Sequence, residues 1–201
     1  MNELIASDLE RAVAALRAGG VVAFPTDTLY GLAVDPRSAL AVARLFAVKQ
    51  REHGHAVPLI AADLGQAEEA AVFDERARRM AAAFWPGPLS IVLAAAPVVC
   101  RDILAADGSV AVRVAAHPVS HALAAGLGFC ITATSANLTG QPPTASPAVV
   151  SSSIGDRIDF LLDSGESPGG PPSTIVDLRG TAPRLVREGA IAWDRVLRSI
   201  E

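Results

Sequence analysis

Apolar side chains recur along this chain in two patterns, one with the spacing of a helix and one in short continuous runs. Leu9, Val13 and Leu16 follow one another at helical spacing. The preceding Ser7-Asp8-Leu9-Glu10 has the form of a capping box, and the pair Gly19-Gly20 ends the pattern. We therefore expect a first helix that starts near Ser7 and stops before the two glycines.

Helical and strand-like segments alternate through the rest of the chain. Short apolar runs predict strands at 21–24, 57–61, 89–93, 110–115, 130–134, 159–163 and 174–178. Helical patterns predict helices that begin near Ser38 and that cover 74–84, 117–126, 146–153 and 190–199. The alternation favours an α/β fold whose twisted sheet combines parallel and antiparallel neighbours and is flanked by helices.

The length of the chain fits one domain. It has 201 residues, of which 51% are hydrophobic and only 4% aromatic, so the core must consist largely of alanine, valine and leucine. The glycine- and proline-rich stretch DSGESPGGPPS at 163–173 is either a linker or a long loop that lines a site. Because only about 28 residues follow it, too few for a core of their own, we expect a single domain over 1–201.

Charge makes a dedicated nucleic-acid-binding role improbable. The net charge is −4 and the arginines are scattered, whereas a protein that grips a phosphate backbone usually carries a basic face. The acidic N-terminal segment does not resemble a secretory signal, and no apolar stretch approaches the ~20 residues of a membrane span. We expect a cytoplasmic protein with no membrane contact. Two reduced, buried thiols are favoured for Cys100 and Cys130, and a single disulfide between them is the alternative.

Two motifs resemble catalytic or metal sites but fit a structural role better. GESPG at 165–169 has the spacing of a nucleophile elbow, yet prolines prevent the required helix and no histidine follows it. His117 and His121 have the spacing of two zinc ligands on a helix, but the glutamate of the zinc motif and a third ligand are missing. We interpret His117 as a histidine at a helix start and His121 as a surface histidine.

The chain contains a single lysine, Lys49, which lies two residues before Arg51 at the end of a predicted helix. Cations at a helix C-terminus interact favourably with the helix dipole, and for these two residues alone that structural role is favoured. The alternative is a pair of cations that binds a polyanion, with lysine as a point charge and arginine as a planar fork.

Small polar residues lie at the ends of several predicted strands. The segment TSAN at 134–137 directly follows an apolar strand, and ligands of open α/β sheets bind at the carboxyl ends of strands. In SVAVR, Ser109 and Arg113 share one face, and an arginine among valines must reach solvent or find an anion. Ser173 precedes a predicted strand, and Arg187 ends another.

The segment PTDTLYGLA at 25–33 follows the first predicted strand. Taken alone, its hydroxyl groups indicate an ordinary polar turn; together with the other blocks they predict one wall of a shared cavity. Asp27 receives no role, and Tyr30, the only tyrosine, is interpreted as a packing residue.

Seven blocks of the sequence resemble the YrdC-like threonylcarbamoyl-AMP synthases in order and spacing. They extend over residues 7–199 and read PTDTLYGLA, KQR, WPGPLS, SVAVRVAAHP, TSANLTG, PSTIVD and LVREG. The combination of K-x-R with S-x-N is the most specific part. The chain is similar to the short, single-domain form of the family.

The resemblance implies a twisted α/β sheet around a large open cavity and a nucleotidyltransferase activity. L-threonine, bicarbonate or CO2, and ATP would give threonylcarbamoyl-adenylate and pyrophosphate for threonylcarbamoyladenosine modification of tRNA. Mg2+ would arrive with ATP, and no metal ligand is assigned to the protein. The implied partners are the threonylcarbamoyl-transferase proteins that use the product on tRNA, and weak RNA contact stays open.

The resemblance also implies a role for ten individual residues. Those that would hold L-threonine are Thr26, Thr28, Arg113, Ser135 and Ser173. Those that would hold ATP are Lys49, Arg51, Ser109, Asn137 and Arg187. Of these, Lys49 and Arg51 would also be the catalytic pair.

The chain departs from the family pattern after KQR. Glu52 replaces a proline, HGHAV precedes Pro58-Leu59, and Ala61-Ala62 stands where many members have a histidine. No ligand contact is therefore assigned to residues 52–62. Two other functions remain open from the sequence, a double-stranded RNA-binding module of the same fold and an inactive paralogue.

Overall fold

A computed structural model of the protein describes residues 3–51 and 55–199. The helices in these ranges are α1 Glu3–Arg17, α2 Ala39–Lys49, α3 Leu64–Ala70, α4 Glu75–Phe84, α5 Pro118–Leu127, α6 Pro147–Ile154 and α7 Trp193–Arg198. The strands are β1 Val22–Pro25, β2 Tyr30–Ala33, β3 Leu59–Ala61, β4 Leu89–Ala94, β5 Ser109–Val114, β6 Ile131–Thr132, β7 Thr134–Ser135, β8 Phe160–Leu161, β9 Thr174–Asp177 and β10 Arg184–Arg187.

The strands form two sheets. One has four strands in the order β7-β2-β1-β8, and the other has six in the order β10-β9-β4-β5-β3-β6. Each sheet mixes directions: β1 is antiparallel to β2 and parallel to β8, while β5 is antiparallel to β4 and parallel to β3. The predicted mixed α/β class with flanking helices is confirmed.

The predicted strand at 130–134 is in fact two short strands in different sheets. β6 pairs with β3 in the six-stranded sheet, whereas β7 pairs with β2 in the four-stranded sheet. The chain therefore passes from one sheet to the other at Ala133. TSAN follows β6, as predicted, with Ala133 between them, and its first two residues form β7 in the second sheet.

Three local predictions were wrong or incomplete. The first helix begins at Glu3, so that Ser7 lies inside the helix and does not cap it. Two elements were missed, namely β2, whose four residues follow the polar turn directly, and α3, whose seven residues are too few for a clear helical pattern. The predicted start of α2 is confirmed, because the side chain of Ser38 accepts a hydrogen bond from the Ala41 amide.

The core lies on both faces of the six-stranded sheet. Leu59 and Ile60 are consecutive and completely buried, and they belong to two different hydrophobic clusters. Because successive strand residues point to opposite faces, β3 has helices and apolar side chains on each side. In the described part of the chain, no helix is long and apolar enough to span a membrane.

Candidate functional site

A cavity of about 550 Å3 is lined by residues from both sheets. This volume lies in the range of small-molecule sites, roughly 300–1,000 Å3. Seven of the residues predicted from sequence line it, and these are Thr26, Thr28, Arg51, Arg113, Ser135, Ser173 and Arg187. A second depression, of about 960 Å3, follows residues 95–108 and contains none of these seven. The convergence of hydroxyl groups and guanidinium groups identifies the first cavity as the candidate site.

The turn between β1 and β2 forms one wall of the cavity and is held by Thr26. Its hydroxyl donates to the carbonyl oxygen of Leu29 at 2.7 Å and accepts from the Thr28 amide at 3.2 Å. The hydroxyl groups of Thr26 and Thr28 are also 3.2 Å apart. Since Thr26 is buried and these contacts fix the backbone, the hydroxyl of Thr28 has a defined place in the cavity wall.

The end of α2 directs Lys49 and Arg51 to different surroundings. Gln50 adopts a left-handed conformation, with φ 50° and ψ 45°, and ends the helix. Such a backbone is costly for a residue other than glycine and is found preferentially where the surrounding structure needs it. After this turn Arg51 lines the cavity, whereas Lys49 is buried, with 4% of its surface exposed.

The ammonium group of Lys49 binds the TSAN segment rather than the cavity. It donates to the carbonyl oxygens of Ser135 and Asn137 and lies 3.4 Å from the Asn137 side-chain oxygen. Burial, and then the positive charge of Arg51, lower the pKa of Lys49 from 10.5 to about 8. Lys49 therefore holds the backbone beside Ser135, which is itself a cavity residue.

Two further predicted ATP residues are not among those that line the cavity. Asn137 is buried, and its side-chain nitrogen Nδ2 donates to the carbonyl oxygens of Leu138 and Gln141. Ser109 lies at the opposite end of β5 from Arg113, about 13 Å away at the usual rise of a strand. Its hydroxyl donates to Asp107 at 2.6 Å. The contacts of Asn137 and Ser109 with ATP stay predictions.

Ser173 connects the wall formed by β4 to the arginine of β10. Its hydroxyl lies 3.1 Å from that of Ser90, and the Arg187 guanidinium donates to the Ser173 carbonyl oxygen at 2.9 Å. Burial, and then the positive charge of Arg113, lower the pKa of Arg187. Arg113 and Arg187 thus face the same cavity as Arg51, and a site with these guanidinium groups is suited to an anionic ligand.

Several residues that line the cavity were not predicted from the sequence, among them Ser90, Ala56 and Pro58. Ser90 lies between Leu89 and Ile91 in a buried strand, and a polar residue in such an apolar run was the available signal. Ala56 and Pro58 line the cavity within the stretch 52–62, to which no contact was assigned. Glu52 and the first two residues of HGHAV lie outside the described residues.

Arg113 forms a largely buried ion pair with Asp27, to which the sequence had assigned no role. The Arg113 Nη1 donates to both carboxylate oxygens, at 2.6 and 2.8 Å. The pair joins the β1–β2 turn of one sheet to β5 of the other.

His117, which starts α5 as predicted, accepts from the Val119 amide at 3.3 Å. Burial lowers the pKa of His117, and the charge of Asp27 opposes that shift.

The loop at 163–173 lies against the β1–β2 region. The Tyr30 hydroxyl donates to the Gly165 carbonyl oxygen at 2.7 Å, and the Gly169 amide donates to the Thr28 carbonyl oxygen at 2.8 Å. Burial raises the pKa of Tyr30 to about 12. Tyr30 therefore packs in the core, as expected, and in addition anchors the loop, whose last residues, Pro172 and Ser173, line the cavity.

Comparison with known proteins assigns this α/β protein and its cationic, hydroxyl-rich cavity to a family. The family model Sua5_yciO_yrdC, described as "Telomere recombination", matches residues 14–189. The chain belongs to the Sua5/YciO/YrdC family. This confirms the resemblance noted in the sequence.

Two bacterial relatives carry the name threonylcarbamoyl-AMP synthase. The protein of Idiomarina loihiensis is 34% identical over 177 residues, covering 86% of this chain and 94% of the relative. The protein of Xanthomonas euvesicatoria pv. vesicatoria is 38% identical over 175 residues, with the same two coverages.

Among solved structures, that of Pyrococcus abyssi Sua5 complexed with L-threonine superposes with a TM-score of 0.91 at 35% identity. The match covers 96% of this chain but only 57% of that longer chain. The structure of Escherichia coli YciO gives a TM-score of 0.83 at 27% identity and covers 96% and 92% of the two chains.

Proposed function

We propose that this protein is an L-threonylcarbamoyladenylate synthase, a nucleotidyltransferase that serves the threonylcarbamoyladenosine modification of tRNA. The observation that carries the proposal is the cavity in which Arg51, Arg113 and Arg187 face six serine and threonine residues. The relatives named threonylcarbamoyl-AMP synthase and the threonine complex of P. abyssi Sua5 support the same substrates.

L-threonine is a small zwitterion with a hydroxyl group, and the cavity matches each of its polar groups. We assign its carboxylate to Arg113 and its other polar groups to the hydroxyls of Thr26, Thr28, Ser135 and Ser173. A site that pairs with a substrate hydroxyl discriminates strongly against analogues that lack it, because its own polar groups would stay unpaired.

The reaction then needs a carbamate and an adenylyl transfer. The neutral amine of threonine either adds to CO2 and loses a proton, or condenses with bicarbonate and loses water; both routes give an N-carboxylate. One oxygen of this group attacks the α-phosphorus of ATP, the bond from that phosphorus to the bridging oxygen breaks, and pyrophosphate leaves. The negative charges meet in one place, so positioning and electrostatic stabilisation should supply most of the catalysis.

The cationic side chains have different roles in this reaction. Arg51 and Arg187 contribute guanidinium groups to the cavity and are assigned to the phosphates. Lys49, whose ammonium lies on the carbonyls of Ser135 and Asn137, would hold that backbone in place and add positive charge beside it. Ser109 and Asn137 are retained as proposed ATP contacts on the resemblance alone.

ATP is expected to enter with Mg2+ as part of the substrate. Among the described residues that line the cavity there is no carboxylate, the side chain that most often holds Mg2+ in proteins. The residues present therefore do not form a magnesium site, and phosphate oxygens and water would carry the ion. No catalytic step is assigned to it.

The proposed partners are the threonylcarbamoyl-transferase proteins that consume the adenylate, and the proposed location is the cytoplasm. Weak contact with RNA belongs to the same proposal, since the product is used on tRNA. A function as an RNA-binding module is not proposed, because the net charge of −4 gives no basis for it.

The proposal is tested by pyrophosphate release from MgATP, with threonine and bicarbonate omitted in turn. We expect release only when both are present. Arg51→Ala should lower kcat/KM by about 100-fold, which is the usual effect of removing one preorganised electrostatic group. Arg157→Ala, an exposed arginine outside the cavity, is the matched control and should behave as the wild type. Equal activity of the Arg51→Ala variant, or release without threonine, contradicts the proposal.

A further inference from the structure

The ion pair between Asp27 and Arg113 differs from the surface pairs of this protein. The side chains of Asp27 and Arg113 are 14% and 9% exposed, whereas those of Asp194 and Arg198 are 66% and 64% exposed. Exposed pairs contribute little, but the loss of one partner from a buried pair leaves an uncompensated charge. The Asp27 carboxylate is therefore a strong determinant of where the guanidinium of Arg113 lies.

Asp27 is itself held in place by its neighbours. It lies inside the turn that Thr26 closes through hydrogen bonds to the backbone of Thr28 and Leu29. A carboxylate on such a turn has little freedom. It can thus act as a rigid support that extends from one sheet to a side chain of the other.

The contact leaves part of the guanidinium unused. Both carboxylate oxygens lie on Nη1, and within the described residues Nη2 and Nε have no hydrogen-bond partner. A guanidinium has five N–H donors and binds carboxylates in a planar, two-pronged manner. Arg113 lines the cavity, so donors remain for a second carboxylate.

Asp27 also opposes a repulsion. Arg187 faces the same cavity, and the charge of Arg113 contributes to the lowered pKa of Arg187. Like charges tend to move apart, which would draw Arg113 away from the ligand. The negative charge of Asp27 lies beside Arg113 but is not part of the cavity lining. It therefore offsets this tendency without occupying the site.

We propose that Asp27 is a positioning residue that holds Arg113 by Nη1 and thereby presents the remaining guanidinium donors to the carboxylate of the amino-acid substrate. The inference rests on the proposed function, because it takes that substrate to be L-threonine. Asp27 is absent from the residues that line the cavity, so it acts through Arg113 and does not touch threonine.

The test uses the intact protein and measures pyrophosphate release at saturating MgATP and bicarbonate with threonine varied. Asp27→Asn keeps the shape of the side chain and removes its charge. It should raise the KM for threonine about tenfold, the effect of weakening one charge-assisted interaction, and leave kcat within about twofold. Asp27→Glu keeps the negative charge, so its KM for threonine should lie between those of Asp27→Asn and the wild type. Because KM does not depend on the fraction of folded molecules, partial unfolding does not confuse the result.

A double-mutant cycle separates positioning from a general structural effect. If Asp27 acts through Arg113, adding Asp27→Asn to Arg113→Ala should change kcat/KM for threonine by less than about twofold, since the interaction is already lost. Asp177→Asn is the matched control. Asp177 is a buried carboxylate paired with Arg179 and Arg184, outside the cavity lining, and its loss should leave the threonine KM unchanged.

The outcomes distinguish this inference from the proposed function. An unchanged threonine KM in Asp27→Asn, or the same loss in the presence and absence of Arg113, overturns the inference alone. Wild-type protein that releases no pyrophosphate in a threonine-dependent manner overturns the proposed function, and the inference falls with it.

Discussion

Lys49 shows how one side chain can be placed for structure and for charge together. It is the only lysine of the chain, and its ammonium lies buried on two backbone carbonyls of the segment that carries Ser135. Burial disfavours the charged form, and the resulting pKa of about 8 lies within the range of ordinary assays. The charge of this residue is therefore sensitive to pH.

This shift predicts a pH dependence of activity that belongs to Lys49. In the free enzyme the ammonium is present below about pH 8 and is lost above it, so kcat/KM should decline on the alkaline side. In Lys49→Arg the charge persists. The ratio of wild-type to Lys49→Arg kcat/KM, in which the titration of the substrates cancels, should fall by about tenfold per unit well above that pKa, for a single required proton. A flat ratio between about pH 7 and pH 9.5 would show that the charge of Lys49 is not needed.

Stability should change in the opposite direction. The pKa of Lys49 is lower in the folded protein, about 8, than its ordinary value of 10.5, so between these values the unfolded chain binds more protons. The free energy of unfolding therefore rises with pH across this window in the wild type. Denaturant unfolding of wild type and Lys49→Arg at both ends of the window checks the sign.

At the level of secondary-structure elements, the wall that carries Ser173 depends on close contact between two backbone segments. The Ala190 amide donates to the Pro172 carbonyl oxygen at 2.9 Å, and the Gly189 amide donates to the Thr174 hydroxyl at 3.0 Å. A Cβ atom at Gly189 would overlap the Pro172 carbonyl oxygen and lie 2.7 Å from the Ser173 carbonyl carbon. Only glycine allows this approach.

Gly189→Ala should therefore disturb both stability and the site. We expect a loss of about 1–3 kcal/mol in the free energy of unfolding, the usual cost of forcing atoms into a packed region. The KM for threonine should also rise, because Ser173 must move. Gly180→Ala is the control, since its Cβ would lie 3.5 Å from the nearest backbone atom, and it should stay within about 0.5 kcal/mol. Equal denaturation curves for the two variants would contradict the prediction.

For the whole molecule, the two hydrophobic clusters meet at the six-stranded sheet. Leu59 and Ile60 belong to different clusters although they are adjacent in β3, and both are fully buried. A single domain whose clusters share a central strand should unfold cooperatively. The proposed single domain over 1–201 is tested in this way.

Leu59→Ala and Ile60→Ala should each lower the free energy of unfolding by about 2–5 kcal/mol, as buried large-to-small substitutions do. Both should shift one common transition, recorded by circular dichroism and by tryptophan fluorescence. Leu40→Ala removes a side chain from a residue that is 81% exposed, and it should have little effect. Two separate transitions, each sensitive to one substitution, would show that the clusters unfold independently.

The local elements could be predicted where the apolar pattern and the capping residues agree. Ser38 begins α2 and Asp74 begins α4 as the pattern indicates, because their side chains accept hydrogen bonds from nearby amides. The first helix was placed too late, since Ser7-Asp8-Leu9-Glu10 has the form of a cap but lies within a helix that begins at Glu3. Local patterns can be satisfied in more than one way when several turns have similar composition.

The sequence by itself determined the mixed α/β class, most helices and strands, and the residue types of the cavity, because these depend on short-range spacing and on side-chain chemistry. Only the tertiary structure decided which residues meet. Arg113 finds Asp27 across 86 positions, and Lys49 finds the carbonyl of Asn137 across 88. It also placed Ser109 away from the cavity and brought Ser90 into it. Such contacts arise from the packing of two sheets, and no local pattern encodes the distance between them.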